Sequence, residues 1–463
     1  MKRVAVMLLA VWMLLVLCAC AAQEMEEPTI PAQMGEGLNA GYYKIDITPD
    51  YQVGLGGYSN AETRRSEKVE DRIYATCIAL TQEDTTVLLY TVDNCAMEQD
   101  QIDYFRVLVM ANTGVPQEQI FFGATHSHSC PSKSGQYKKD LAQWLVEAGQ
   151  QAMADRSPAK LLVATPEIQG MNFVRHYEME DGTYAGSNFG DFSKKIVGHA
   201  TASDPNAVLV KLDREAGRKD ILLVNWQAHP DSAKNIGYTS IAASWIGPLR
   251  DKLEQLSDME VAYFTGASGN QNQSSRILSE SHGLSWKQYG TYMARLLYKA
   301  LPQLQEVSAD RIQTKQVRFA AEIDHTWDHM LPQAEEVYER WKTVSKKEGD
   351  ALGKTYGFTS SYQARAIISR ASMGNSKMLE LNVISVGDLA FTTGTYEMFS
   401  DQGLYVKQNS PFPVTFLITG NSGYLPSREA YEYRSYEADT GYYAPGTAEK
   451  LAEEYVNMLK EIR

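Results

Sequence analysis

The sequence predicts an α/β or α+β fold, with mixed β-sheets in a layered core flanked by helices. Short apolar runs typical of strands alternate with amphipathic runs typical of helices along most of the chain. The 463 residues are 44% hydrophobic and 22% charged, which is the composition of a globular protein and excludes a disordered chain or a coiled coil. A simple Rossmann repeat is also excluded, because no Gly-x-Gly-x-x-Gly follows a predicted strand and opens a helix.

The individual elements follow from the spacing of the apolar residues. Strands are predicted over 73–80, 86–91, 120–124, 207–212, 221–226 and 261–265, and a further strand-like run covers 383–391. Helices are predicted over 101–112, 139–154, 245–255 and 286–301, and the spacing of Leu451, Tyr455, Met458, Leu459 and Ile462 predicts an amphipathic closing helix. No linker, repeat or low-complexity tract interrupts residues 39–463, so they are expected to form a single domain.

The N-terminus predicts export and attachment to a membrane. Lys2 and Arg3 precede an apolar run over 4–17, which has the length of a signal peptide and is short for a transmembrane helix. The sequence Leu-Cys-Ala-Cys that ends at Cys20 resembles a bacterial lipobox, with Cys18 as the alternative acylation site. We therefore expect a lipoprotein signal peptide over 1–19, a flexible tether over 20–38 and an extracytoplasmic location on the membrane surface. A plain signal peptide that leaves a secreted protein, or an uncleaved anchor, stays open.

The charge balance and the cysteine content exclude two further classes of protein, nucleic-acid binders and disulfide-stabilised domains. The chain has 44 basic and 57 acidic residues, a net charge of −13, and no basic cluster of the kind that nucleic acid requires. Nucleic acid is therefore excluded as a partner. Beyond the signal region only Cys77, Cys95 and Cys130 remain, at unrelated spacings, so a disulfide framework is not expected.

Histidines follow two of the predicted strands. His126 and His128 lie just after the strand at 120–124, and His229 lies just after the strand at 221–226. In extended backbone, alternate side chains share one face, so His-x-His can direct two imidazoles into one cleft, where they are suited to bind zinc. A pair of hydrogen-bonded histidines at a strand end explains the first motif equally well, but two such strand ends favour a shared cleft.

A second histidine pair competes for a metal. His325 and His329 lie four residues apart and would share one face of a helix, a spacing that metal sites also use. The Glu of the metalloprotease pattern is absent, because Thr326 follows the first histidine, and Pro332 is expected to break the run. We interpret this segment as a solvated, acidic helix start.

Four segments resemble the catalytic domain of the neutral/alkaline non-lysosomal ceramidases, over nearly all of the chain after the tether. Residues 41–49 are similar to the start of that domain, and 125–131 (Thr-His-Ser-His-Ser-Cys-Pro) to its Thr-His-Thr-His-Ser-Gly-Pro motif. Residues 224–229 resemble the strand that carries its second zinc-binding histidine. Near the C-terminus, Tyr424 and Tyr436 have the twelve-residue spacing of the family's metal-binding and active-site tyrosines.

The resemblance implies a fold like that of the ceramidase catalytic domain and a zinc-dependent amidohydrolase that attacks an N-acyl bond with metal-activated water. It implies one Zn²⁺ per chain, and a structural Mg²⁺ or Ca²⁺ is compatible with it. The implied metal ligands are His126, His229, Glu397 and Tyr424. The implied residues around the substrate carbonyl are His128, Arg175 and Tyr436.

The sequence departs from the ceramidase pattern in one loop and in the histidine motif. Asn272 stands where the family has its active-site Ser, Asn270 replaces an Asp in the same loop, and Cys130 replaces a Gly in the histidine motif. An amide is no nucleophile, so Asn272 is expected to act at most as a hydrogen-bond donor. The resemblance stops at the catalytic domain, so the C-terminal β-domain of the longer ceramidases is not expected. Two other functions therefore stay open: a hydrolase of a more polar amide or ester, and a ligand-binding surface lipoprotein without catalysis.

Overall fold

The computed structural model describes residues 34–58, 63–277, 279–419 and 423–463. The predicted signal peptide, Cys20 and most of the predicted tether lie outside these ranges, so lipid attachment stays a prediction. Within the described ranges, no helix is both long enough and apolar enough to cross a membrane.

Strands contribute to sheets from Asn39 to Leu425. They are β1 Asn39–Asp46, β2 Lys68–Val69, β3 Tyr74–Gln82, β4 Thr85–Val92, β5 Ile120–Ala124, β6 Ser157–Ala164, β7 Phe173–Val174, β8 His176–Met179, β9 Tyr184–Gly186, β10 Ile196–His199, β11 Val208–Arg214, β12 Ile221–Trp226, β13 Ser240–Ile241, β14 Glu260–Thr265, β15 Gln271–Asn272, β16 Gln305–Glu306, β17 Ile312–Glu322, β18 Ser376–Val386, β19 Leu389–Gly394, β20 Glu397–Met398, β21 Val414–Ile418 and β22 Tyr424–Leu425.

Helices alternate with the strands. They are α1 Gln99–Thr113, α2 Gly135–Ala154, α3 Ala233–Ile236, α4 Ile246–Ser257, α5 Trp286–Ala300, α6 Leu331–Trp341, α7 Lys346–Thr355, α8 Ser361–Ala371, α9 Ser400–Asn409, α10 Arg428–Glu432, α11 Tyr436–Thr440 and α12 Thr447–Glu461. Short 3₁₀ turns cover Gln117–Gln119, Leu301–Gln303 and Asp328–Met330.

Two large mixed sheets form the centre of the fold. The larger has the strand order β14-β12-β11-β6-β1-β3-β4-β5, with β16 paired to β6, and the smaller has the order β17-β18-β19-β21. The pairs β12/β14, β4/β5 and β19/β21 are parallel, and the other pairs within these two sheets are antiparallel. These mixed sheets, with helices packed on them, confirm the predicted α/β class with a layered core.

The two sheets pack face to face, with helices on both outer surfaces. In β3, Ile78 and Leu80 point into the apolar layer between the sheets, where they belong to one cluster with Phe391 and Phe416 of the smaller sheet. Cys77 points the other way, into a cluster with buried residues of α1 and α2. Helices α4 and α5 cover the rest of the larger sheet, and α9 and α12 cover the smaller one. The alternation in the sequence thus specifies four layers: helices, sheet, sheet, helices.

Most predicted elements match observed ones to within a few residues, and two predictions are wrong. The strand-like run at 383–391 is the end of β18 and the start of β19, joined by a turn in which Gly387 has φ +54°. A Cβ at Gly387 would meet the Ser308 carbonyl oxygen at 2.0 Å, so glycine is required in this turn. Pro332 does not break a helix but lies in the first turn of α6, where its missing N–H costs nothing.

The carboxyl ends of several strands converge at one edge of the core. Although β5 and β14 terminate opposite ends of the strand order, the Thr265 hydroxyl donates to the Thr125 carbonyl at 2.8 Å, just beyond the two strands. The backbone N–H of Thr419, just after β21, donates to the Thr265 carbonyl at 2.9 Å. The loops that follow β5, β12, β14 and β21 therefore start from neighbouring points, and they carry the candidate site.

Candidate metal centre

His126 is held in an unusual backbone conformation directly after β5. Its φ of +67° lies in the left-handed region, which a non-glycine residue adopts only when its surroundings fix it. Its N–H donates to the Asn94 carbonyl at 2.8 Å, and its Nδ1 lies 2.6 Å from the Cys95 carbonyl oxygen. A carbonyl partner requires the proton on Nδ1, so Nε2 is the ring nitrogen that offers a lone pair to a metal, and it faces Glu397.

His229 is fixed from the opposite side by the loop after β14. Its N–H donates to the Gln271 carbonyl at 2.8 Å, and an isolated parallel bridge links it to Asn272. The side chain is almost completely buried, at 2% exposure. Burial holds the pKa of His229 well below its usual value, so the ring is neutral, which is the form that binds a metal.

Glu397 and Tyr424 enter the site together on the short parallel pair β20/β22. They are direct Cα partners in that pair, so their side chains leave the same face of the backbone. Gly269 lies behind β20, and its N–H donates to the Met398 carbonyl at 2.9 Å. A Cβ at Gly269 would lie 2.9 Å from the Glu397 carbonyl oxygen, so glycine permits the close approach that seats this strand.

His126, His229 and Glu397 form a buried group whose ligand atoms all lie within 4.8 Å of one another. The Glu397 Oε2 atom lies 3.3 Å from His126 Nε2 and 3.9 Å from His229 Nδ1. Within the described residues, neither Glu397 Oε2 nor His229 Nδ1 has a hydrogen-bond partner, which is costly for buried polar atoms. Ligands of one tetrahedral ion, each at ~2.0–2.1 Å, lie roughly 3.4 Å apart, so this donor set fits a divalent metal.

The Tyr424 phenol lies beside this group. Burial and the Glu397 carboxylate raise the pKa of Tyr424 well above its usual value, and Arg175 opposes them only in part. The phenol is therefore neutral unless a stronger positive charge favours its ionised form, as a divalent ion would.

His128 completes a triangle of imidazoles. Its Nε2 lies 3.4 Å from His126 Nε2 and 3.1 Å from His229 Nε2, and burial lowers the pKa of His128 to about 3. Gly57, with φ +96°, packs against the ring, and a Cβ there would lie 2.8–2.9 Å from His128 atoms. On its outer side, His128 Nδ1 lies 4.0 Å from Asp231 Oδ1, and the Tyr58 hydroxyl donates to the same oxygen.

Cys95, His126 and His128 form a second group with metal-binding spacing. Burial, reinforced by Glu397, raises the pKa of the Cys95 thiol to about 12. A thiol binds metals as its thiolate, so this shift disfavours Cys95 as a ligand. Of the two groups, the one with Glu397 is the better metal site.

Arg175 lies against the Tyr424 side of the centre. Its Nε and Nη2 are each 2.6 Å from Glu437 Oε1, and Nη2 also donates to the Gly269 carbonyl at 2.9 Å and the Tyr424 hydroxyl at 3.3 Å. Burial alone would raise the pKa of Glu437, but its interactions with His176 and Arg175 lower it to about 2. Arg175 therefore pairs with a buried carboxylate and not with a surface one.

Tyr436 and the two asparagines lie around the same cleft. Tyr436 begins α11, and its ring centroid is 6.2 Å from that of Tyr424. Asn270 is a structural residue: its side chain donates to the Ser400 hydroxyl at 3.1 Å and accepts from the Ser400 N–H at 2.9 Å, which fixes the start of α9. Asn272 is half-buried and pairs through β15 with Phe173 of β7, two residues before Arg175.

The second histidine pair, His325 and His329, is not part of this metal centre. His325 Nδ1 lies 2.7 Å from Asp328 Oδ2, and His329 Nδ1 lies 3.1 Å from the Thr326 carbonyl, so each ring has its own local partner. Among the described residues, neither belongs to a group with metal-binding spacing. This agrees with the interpretation of the segment as a polar helix start.

Three residues around the metal centre are absent from the predicted set of site residues: Asp231, His176 and Glu437. Two of them adjoin predicted residues, since His176 follows Arg175 and Glu437 follows Tyr436. Adjacency is a weak signal, because neighbouring side chains usually point in different directions. The pairing of Arg175 with Glu437 spans 262 residues and is visible only in the folded chain.

Comparison with solved structures shows the fold. The neutral ceramidase from Pseudomonas aeruginosa matches with a TM-score of 0.69 and 15% identity, over 93% of this chain and 75% of that one. A ceramidase complexed with C2 matches with a TM-score of 0.69 and 14% identity, over 93% and 76% of the two chains. No protein-family model and no curated protein matches the sequence. The predicted resemblance to the neutral ceramidases is thus confirmed at the level of the fold.

Proposed function

We propose that the protein is a zinc-dependent hydrolase that cleaves the N-acyl amide bond of a ceramide-like lipid with water, releasing a fatty acid and an amine. The observation that carries the proposal is the buried group of His126, His229 and Glu397, with Tyr424 beside it, in a chain with the neutral ceramidase fold. Zinc is the proposed ion because nitrogen and oxygen donors at these spacings suit it.

Zinc bound by these four residues would lower the pKa of a water ligand toward ~7 and polarise the substrate carbonyl. The chain's own residues then stabilise negative charge on the carbonyl oxygen. Burial raises the pKa of Tyr436 to about 12, so its hydroxyl keeps a proton to donate at neutral pH. Arg175 Nη1 has no partner among the described residues, while Nε and Nη2 are bound, so Nη1 is its remaining donor.

The neutral imidazole of His128 keeps one ring N–H, which can donate a hydrogen bond to the substrate carbonyl oxygen. It is buried beside His126 and His229, and its outer side faces the Asp231 carboxylate at 4.0 Å. Asn272, which stands in place of a serine, can donate a hydrogen bond but cannot attack, so the proposed reaction forms no covalent intermediate with this residue.

The test is fatty-acid release from N-acylsphingosine by the zinc-loaded protein, with zinc content measured on the same sample. We expect turnover by the wild type and none above background by His126→Ala. His325→Ala, which alters the other histidine pair, serves as the matched control and should retain full turnover. Zinc-free wild-type protein, or equal turnover by His126→Ala, would contradict the proposal.

A second candidate is a hydrolase of a more polar amide or an ester on the same centre. It is favoured by the amide at Asn272 and by a polar wall next to His128. In that wall, the Arg64 guanidinium lies 4.8 Å and 4.7 Å from the ring centroids of Tyr58 and Tyr238. Cleavage of short-chain esters or polar N-acyl compounds without cleavage of N-acylsphingosine would favour this candidate over the first.

We further propose that the mature protein is anchored to the outer side of the bacterial membrane through acylated Cys20. The lipobox-like sequence Leu-Cys-Ala-Cys supports this proposal. Growth with labelled palmitate should label the wild type and the Cys18→Ala variant but not Cys20→Ala. Label retained in Cys20→Ala would contradict the assignment.

A further inference from the structure

A continuous chain of buried polar contacts leads away from the metal centre. The Tyr424 hydroxyl accepts from Arg175 Nη2 at 3.3 Å, and Arg175 binds Glu437 Oε1 at 2.6 Å. The second carboxylate oxygen of Glu437 lies 2.8 Å from His176 Nε2, and His176 Nδ1 lies 2.8 Å from the Tyr433 hydroxyl. Each inner member thus contacts both of its neighbours in the chain.

The inner residues of this series of polar contacts are almost completely buried. They are Arg175, Glu437 and His176. The side chains of Glu437 and His176 are 2% and 1% exposed, and that of Arg175 is 11% exposed. Aromatic rings surround His176, with Phe189, Phe399 and Tyr433 at centroid distances of 5.3–5.8 Å. Phe399 directly follows β20, the strand that carries Glu397. The series of polar contacts therefore packs against the backbone that carries Glu397, in addition to its contact with Tyr424.

We propose that Glu437 and His176 are positioning residues for the metal centre: they lock Arg175, and through Arg175 they fix the phenol oxygen of Tyr424 beside Glu397. The inference rests on the proposed function only for the identity of the metal ligands. It assigns no contact with substrate or metal to either residue. It extends the site from four ligands to the groups that orient one of them.

The geometry of Arg175 explains why a buried carboxylate is needed. A guanidinium has five N–H donors in a fixed plane, so fixing Nε and Nη2 on one Glu437 oxygen fixes the direction of the whole group. The same Nη2 then points at Tyr424, and the guanidinium lies 5.6 Å from the centroid of that ring. His176 binds the other carboxylate oxygen and so prevents Glu437 from rotating.

A purely structural role is the alternative, because losing one partner of a buried ion pair destabilises most proteins. Elsewhere in the protein, Arg106 and Glu380 provide a matched control. They form a buried ion pair 2.7 Å apart, with side chains 5% and 3% exposed. Glu380→Ala removes the buried carboxylate partner of a buried Arg, as Glu437→Ala does, but Glu380 lies outside the group of metal ligands. A loss that follows from destabilisation alone would affect both variants equally.

The experiment measures the zinc dissociation constant of the full chain by competition with a chelator, so no substrate is involved. The variants are Glu437→Ala, Glu437→Gln, His176→Ala and Glu380→Ala, each with intact Tyr424 and with Tyr424→Phe. Unfolding temperature without zinc is recorded for every variant, and Glu437→Gln, which keeps the shape of the side chain, covers the case in which Glu437→Ala does not fold.

We expect Glu437→Ala and His176→Ala to weaken zinc binding by about 10- to 100-fold, the usual effect of removing a group behind a ligand, and Glu437→Gln to weaken it less. Glu380→Ala should leave the zinc dissociation constant unchanged. With Tyr424→Phe, Glu437→Ala should cost no more than about 2-fold further, because the group that it positions is gone.

The outcomes separate this inference from the proposed function. Equal losses for Glu437→Ala with and without the Tyr424 hydroxyl would overturn the inference alone, because the effect would not pass through Tyr424. Wild-type protein that does not bind zinc would overturn the ligand set and this inference together. Zinc binding with the expected coupling, but without cleavage of any amide, would support this inference and overturn amide hydrolysis.

Discussion

The two histidine pairs are both close in sequence, with spacings that metal sites use, but they have opposite surroundings. His126 and His128 follow a buried strand and enter a closed cleft, where both are less than 10% exposed. His325 and His329 lie in a turn before α6, where each ring contacts a nearby polar atom of its own segment. The difference teaches that spacing alone does not make a metal site. Convergence of several strand ends does, because it brings in Glu397 and His229 from distant parts of the chain.

The largest effect is expected when a metal-binding histidine of the first pair is removed. His126→Ala removes a nitrogen donor from the buried group, so zinc affinity should fall by more than the roughly 100-fold that loss of a group behind a ligand costs. His325→Ala should leave zinc affinity unchanged and alter the free energy of unfolding by at most about 0.5 kcal/mol, as surface substitutions do. Isothermal titration with zinc measures both affinities, and urea unfolding measures the stability. Equal losses of affinity in the two variants would contradict the assignment of the site.

A smaller effect is expected when the support of His128 is disturbed. Gly57→Ala introduces a Cβ 2.8–2.9 Å from His128 atoms at φ +96°, so the imidazole must move. We expect kcat to fall by about 10- to 100-fold, as misplacement by about 1 Å does in active sites. Gly114→Ala is the control, because Gly114 also has a positive φ but a Cβ placed there would meet no atom within 4 Å. It should cost about 1 kcal/mol of stability and leave kcat unchanged.

The next effect in size is expected when Arg175 loses its planar guanidinium but keeps its charge. Arg175→Lys keeps the positive charge beside Glu437 but loses the forked contact with Glu437, Gly269 and Tyr424. We expect kcat/KM to fall by about 10-fold or more, while the protein remains folded. Steady-state kinetics with circular dichroism measures the two quantities. Full activity in the Lys variant would show that charge alone is sufficient.

The smallest effect concerns a buried carboxylate away from the metal centre. Burial, opposed in part by Arg250, raises the pKa of Asp71 to about 7. The folded state therefore holds a proton that the unfolded state has lost between about pH 4 and pH 7, and stability should fall as pH rises through that window. Asp71→Asn should remove this dependence and add about 1–3 kcal/mol at pH 8. Urea unfolding at pH 5 and pH 8 measures it, and a pH-independent difference would contradict the assignment.

The sequence predicts the elements better than it predicts the site. The strands before His126 and His229 are evident as short, continuous apolar runs, which is the pattern of fully buried strands. Glu397 and Tyr424 follow only from family resemblance, since the two-residue strands that pair them are too short for any periodicity. The contacts of Arg175 with Glu437 and of His128 with His229 join residues 262 and 101 positions apart, which no local pattern encodes.

The most direct test of the central claim is a crystal structure of the zinc-loaded protein with anomalous scattering measured at the zinc edge. We expect one zinc peak in the centre at about 2.0–2.2 Å from donor atoms of His126, His229, Glu397 and Tyr424. A zinc peak bound by Cys95 and His128 instead of Glu397 and Tyr424, or a peak only at His325 and His329, would contradict it.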